Sequence, residues 1–376
     1  MAIYLDYNAT APLRPEVCSR MAELLGAPAN PSSAHRFGRA AKKHLEDARK
    51  TIAEYISAFP NEIIFTACAT EANATALRGM PGRRVLVSAI EHSSVLKEAG
   101  DRSRVTDKNF PDTCHLIPVT SAGVVNLEVL DRMLEGGPPA LVSIMLANNE
   151  TGIVQPIADA AALCKKHGAL LHTDAVQALG KIPLDFTALG ADMMTIAAHK
   201  MGGPVGVAAL VVRQDLSIAP LLTGGGQELR RRAGTENIAA IGGFARAVEL
   251  MDFAHMQKLR GWLDAMERQL TNVGATIFPS TEYRVPSTRL PNTSCLAIPA
   301  LTQEVLLMKL DLAGFAVSAG SACSSGRIEP SHVLLAMGVE KALAGSAIRI
   351  SGGWATTQQE IEKLTEALLE SGKLGG

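Results

Sequence analysis

From about residue 60 to 215 the chain repeats one pattern, a short and almost unbroken apolar run followed by a longer stretch with helix-like spacing. The runs are "EIIF", "RVLVSAI", "ALVSIML", "ALLHTDA", "DMMTIAA" and "VGVAALVV". They do not alternate apolar with polar residues, so they read as strands covered on both faces, the pattern of a mostly parallel sheet in an α/β fold. A long helical pattern, "AAIGGFARAVELMDFAHMQKLRGWLDAMERQL", follows and is expected to bridge to a second region. That region holds strand-like "NTSCLAI", helical "TQEVLLMKLDLAG", strand-like "SAIRIS" and a final helix from Thr357.

Length and charge narrow the function. At 376 residues the chain exceeds the size at which one core stops growing, so a large and a small domain are expected. With 36 basic and 37 acidic side chains, the net charge of −1 offers no field for nucleic acid or an anionic membrane; small molecules and proteins are the expected partners. No apolar run approaches the roughly 20 residues a bilayer span needs, and "MAIYLDYNATAP" lacks a signal peptide's basic and apolar regions, so a cytoplasmic location is expected. The cysteines form no CxxC pair, which fits neither a disulfide framework nor a zinc site. Cys323 stands apart. Its setting, "SAGSACSSGR", buries little and orders poorly, so it is either a small filler or a nucleophile on a mobile arm.

In open α/β sheets ligands sit at the carboxyl ends of the strands. There the chain places Thr70, Glu91-His92, Asn148-Asn149-Glu150, Asp174 with Gln177, and His199-Lys200. Lys200 is a surface charge or a Schiff-base nucleophile. Asp174 is a turn or cap residue, or the acid that a pyridinium nitrogen needs. Thr70 is an ordinary N-cap or a phosphate ligand at a helix start. His92 is a satisfied loop histidine, or one that stacks on an aromatic ring and shuttles protons. Arg349 forks onto a substrate carboxylate or makes a structural ion pair. All of these residues but Arg349 fall at successive strand ends, and this favours a site.

The segments "YLDYNATAPLRPEV", "NPSSAHRFGR", "TACATEAN", "EHSSV", "NNETGIVQPI", "HTDAVQALGKIPLD", "AAHKMGGPVGV", "GGGQELRRRAGTEN", "SAGSACSSGRIEPSHVL" and "AIRIS" occur in the order found in cysteine desulfurases. From residue 3 to about 357 the chain resembles that branch of the class V aminotransferases, and its Cys323 segment resembles the group I enzymes of nitrogen fixation and iron–sulfur assembly. The resemblance implies a pyridoxal-phosphate fold type I homodimer. Its large domain, with a mostly parallel central sheet, would span 12–255; residues 1–11 and 256–376 would form a smaller α+β domain carrying Cys323. Lys200 would form the Schiff base, His92 stack on the ring, Asp174 face the pyridine nitrogen and Gln177 the ring hydroxyl. Ala69, Thr70 and His199 would line the phosphate, and Thr235 would reach the other subunit's phosphate. Asn149 and Arg349 would take the carboxylate of L-cysteine, and Cys323 would accept its sulfur and hand it to an iron–sulfur scaffold or a tRNA-thiolating enzyme. Two positions depart from the pattern. Ala197 stands where many relatives carry Ser or Thr, and Val205 where Lys is common. A selenocysteine lyase or another β-eliminating member of the fold stays open beside this reading, as does a cofactor-free scaffold.

Overall fold

In the computed structural model the described residues are 2–28, 30–105, 114–279, 289–298, 301–319 and 329–373; Cys323 lies outside them. Their largest sheet has seven strands in the order Ile63–Thr66, Ala208–Val212, Met193–Ala197, Leu170–Asp174, Ala140–Ser143, Arg84–Ser88 and Cys114–Ile117. The pairings from Met193–Ala197 to Cys114–Ile117 are all parallel. Ala208–Val212 is antiparallel to both of its neighbours. Two reversals restore the original direction, so Ile63–Thr66 ends on the same edge as the parallel strands. That is why Thr70 can join Asp174 and Lys200 at one edge although its strand is a sheet terminus.

The sheet is covered on both faces, as its unbroken apolar runs require. One core cluster joins Leu86, Val142, Leu171, Met194 and Val211 to helices Arg36–Tyr55 and Ile238–Glu249. Alternate residues of the same strands, Val85, Leu141, Leu170, Met193 and Leu210, pack with Ala72 and Ala76 of helix Ala69–Arg78. This period-two split between clusters is the pleat of a two-faced sheet.

A separate core is built from Leu5, helices Phe253–Asn272, Gln303–Leu312 and Gln358–Lys373, and an antiparallel sheet ordered Ala347–Ser351, Thr293–Ala297, Thr276–Phe278. The long helical pattern before it is not one helix. It breaks into Ile238–Glu249 and Phe253–Asn272, because the Asp252 side chain accepts from the His255 N–H and caps a new start. Residues 5–11 cross back to the large sheet: Ala11 N–H donates to His199 O at 2.7 Å, while Leu5 belongs to the small core.

Candidate active site

Lys200 follows strand Met193–Ala197 directly, and its Nζ donates to the carbonyls of Asn8 at 2.7 Å and Ala9 at 2.6 Å. Burial first, and the nearby Arg349 cation second, lower the Lys200 pKa to about 8, against the opposing pull of Asp6 and Asp174. An amine so shifted is available as a nucleophile and base near neutral pH. The turn behind it needs glycine: Gly202 has φ +90°, and a Cβ there would lie 2.8 Å from the Trp354 ring nitrogen.

Asp174 ends strand Leu170–Asp174 and is buried. Its Oδ2 accepts from Asn73 Nδ2 at 2.8 Å and its Oδ1 from the Val176 N–H at 3.0 Å. The second lone pair of each oxygen is left for a further donor. Gln177 Nε2 donates to Asn8 O at 3.0 Å, and its Oε1 accepts from Lys181, whose Nζ also reaches Asn8 Oδ1 at 2.7 Å. Lys181 is buried with no carboxylate partner among the described residues, and its pKa falls well below the usual lysine value through burial and the Lys200 and Arg349 charges. Sequence reasoning missed both Asn8 and Lys181. The one signal was the spacing of four from Gln177 to Lys181.

His92 caps helix Ser93–Val105: its Nδ1 accepts from the Ser94 N–H at 3.1 Å. Burial lowers its pKa. His199 Nδ1 lies 3.3 Å from the Thr10 hydroxyl, and burial with the charges of Lys200 and Lys181 lowers its pKa to about 4, so its ring is neutral. Ala69 and Thr70 open helix Ala69–Arg78, which Cys68 precedes without a side-chain cap, so its first N–H groups are open to an anion. Ala69 packs with Val176, Ala197 and Ala208. The first departure thus lies beside the helix start, whereas Val205 is 72% exposed.

Arg349 is buried on strand Ala347–Ser351. Its Nη1 donates to Asn149 O at 3.0 Å and its Nη2 to Asp6 Oδ1 at 2.6 Å, while its buried Nε has no partner among the described residues. Asp6 is a further residue that sequence reasoning missed. Thr235 is exposed on the segment before helix Ile238–Glu249. That segment is braced from both sides. Glu228, Leu229 and Arg230 all hold positive φ, Glu228 is tied by Arg49 Nη1 and Nη2 at 2.8 Å each, and Arg232 Nε donates to Glu71 at 2.9 Å in the first turn of the Thr70 helix. A cavity of about 530 Å³ beside Arg49 and Glu228 contains none of the strand-end residues.

A family model for class-V aminotransferases matches residues 3–364. The chain belongs to the class-V aminotransferase family. It is 42% identical over 373 residues to a cysteine desulfurase of Cereibacter sphaeroides, covering 97% of this chain and 94% of the relative. A cysteine desulfurase IscS of Dictyoglomus turgidum is 38% identical, with 97% and 93% covered. Among solved structures, a NifS-like protein from Rickettsia africae matches with a TM-score of 0.88 at 36% identity, covering 98% of this chain and 99% of that one. The family's cofactor is pyridoxal phosphate and its architecture is fold type I, which the sheet described above shares. The residues present fit that group. A depressed amine, a carboxylate with free lone pairs and an uncapped helix start meet its aldehyde, ring nitrogen and phosphate in kind.

Proposed function

We propose that this protein is a pyridoxal-phosphate-dependent cysteine desulfurase that converts L-cysteine to L-alanine and passes the sulfur through Cys323. The observation that carries the reading is the Lys200 amine, partly buried, depressed to about 8 and set at a strand end beside Asp174 and Arg349. Relatives named cysteine desulfurase over nearly the whole chain favour it over a selenocysteine lyase.

Bound pyridoxal phosphate supplies an electron sink that lets a substrate Cα–H bond break. Lys200 would hold the group and afterwards take that proton, with Asp174 serving the ring nitrogen, Gln177 the ring hydroxyl and His92 the ring face. Ala69, Thr70 and His199 would hold the phosphate. The Arg349 guanidinium and the Asn149 amide would bind the substrate carboxylate. The Cys323 thiolate attacks the substrate sulfur: an S–S bond forms, the C–S bond breaks, and its electron pair stays on the carbon fragment, which takes a proton at Cβ, regains one at Cα and leaves as alanine. No external oxidant or reductant is needed.

Residues 12–255 act as the cofactor domain, and 1–11 with 256–376 as the domain that brings Arg349 and Cys323 to it. Thr235 serves the partner's phosphate in a homodimer, and the persulfide goes to an iron–sulfur scaffold or a tRNA-thiolating enzyme in the cytoplasm. Among the described residues no helix is long and apolar enough to cross a membrane. The test is borohydride reduction of the cofactor-loaded protein followed by peptide mapping. Pyridoxyl label on Lys200 supports the assignment, and label on Lys181 or on neither overturns it.

A further inference from the structure

We infer that Ser94 and Asn73 hold His92 as the tautomer protonated on Nε2 and tie its ring to the Asp174 carboxylate. The Ser94 N–H donates to His92 Nδ1 at 3.1 Å, and the Ser94 hydroxyl lies 2.8 Å from the same nitrogen. A backbone N–H can only donate, so Nδ1 presents a lone pair. In a neutral ring the proton is then on Nε2.

The rest of the chain of bonds has one consistent direction. A carboxylate only accepts, so the nitrogen of Asn73, not its oxygen, faces Asp174 Oδ2 at 2.8 Å. The same Nδ2 gives its other proton to Ser94 Oγ at 3.0 Å. With its oxygen accepting from Asn73, the Ser94 hydroxyl has its own proton to give to His92. Asn73 is fully buried and its Oδ1 has no partner among the described residues, so two acceptors orient the amide at the expense of its oxygen. Nε2 forms no hydrogen bond among the described residues and is the polar edge the ring has left to offer. Asp174 favours a charged His92, whereas burial, Lys200 and His332 oppose it.

The consequence rests on the desulfurase reading. His92 and Asp174, assigned to the face and the nitrogen of the cofactor ring, are joined through protein, and neutral His92 offers a donor rather than a base. Ser94 and Asn73 are positioning residues in this scheme.

The test is nitrogen NMR of histidine-labelled full-length protein, with and without pyridoxal phosphate, His92 being assigned by its loss in His92→Gln. The wild type should show Nε2 protonated and Nδ1 bare. Ser94→Ala removes one donor that blocks Nδ1, so its His92 protonation midpoint should rise by about half to one pH unit. Ser94→Thr, which keeps the hydroxyl, should return to the wild-type midpoint. A wild-type proton on Nδ1, or an unmoved midpoint in Ser94→Ala, overturns the inference. The wild-type spectrum decides even if Ser94→Ala fails to fold. Failure to take up pyridoxal phosphate would sink the desulfurase reading, while the tautomer would still be read in the same sample.

Discussion

Replacing Arg349 by alanine should produce two effects that a merely structural arginine would not combine. Among the described residues the guanidinium spends Nη1 on Asn149 O and Nη2 on Asp6 and leaves its Nε unpaired, so it has donor capacity left for a further acceptor. Charge-assisted hydrogen bonds contribute about 1.5–3 kcal/mol, so the loss should raise the KM for L-cysteine by about ten- to 150-fold. Cofactor content should not change. The second effect concerns Lys200, whose pKa of about 8 depends on burial and then on the Arg349 charge, opposed by Asp6. Without the cation Lys200 is more easily protonated, and its midpoint should move up toward the ordinary 10.5; Asp6→Asn removes the opposing anion and should move it down. The assay is the rate at which cofactor-stripped protein takes up pyridoxal phosphate as a function of pH, because only the neutral amine attacks the aldehyde. Midpoints that shift in the same direction in the two variants, or an unchanged KM in Arg349→Ala, would refute the reasoning.

Three further outcomes follow from the same contacts. Glu228→Gln leaves the buried Arg49 with only the half-exposed Glu46 as an anionic partner and loosens a segment with three positive-φ residues, so denaturant titration should show a loss of about 3 kcal/mol. Lys181 has a folded-state pKa below its unfolded value, so the unfolded chain binds the extra proton and wild-type stability rises with pH up to the ordinary lysine range. Lys181→Met should flatten that rise by up to about 1.4 kcal/mol per pH unit in stability measured across that window. Ala197→Ser restores a hydroxyl beside Ala69 and should slow loss of pyridoxal phosphate on dialysis by about tenfold.

The central sheet was legible because strands buried on both faces leave no polar alternation, and the strand-end rule then pointed to Thr70, His92, Asp174 and Lys200. The long helical pattern from residue 239 hid a break between two helices, because the Asp252 side chain that caps the second start reads locally like any other polar position. Asn8 was illegible for a different reason. Its carbonyl and side chain meet Lys200, Gln177, Lys181 and Thr293, all more than a hundred residues away, and nothing local marks such a hub. Lys181 looked like any lysine in a polar turn, and its burial is a tertiary fact. Asn73 and Ser94 sat inside quoted motifs, but their bonds to Asp174 and His92 join three strand ends and show only once the sheet is assembled.

The central claim, that one lysine does the carbon chemistry and one cysteine the sulfur chemistry, is tested most directly by Cys323→Ser loaded with pyridoxal phosphate and given L-cysteine. A serine hydroxyl stays protonated near neutral pH and is a poor partner for a thiol sulfur. Alanine release and protein-bound sulfur should therefore both vanish while exchange of the substrate Cα hydrogen with deuterated water, which needs Lys200, continues. Alanine release from Cys323→Ser at the wild-type rate would contradict the account.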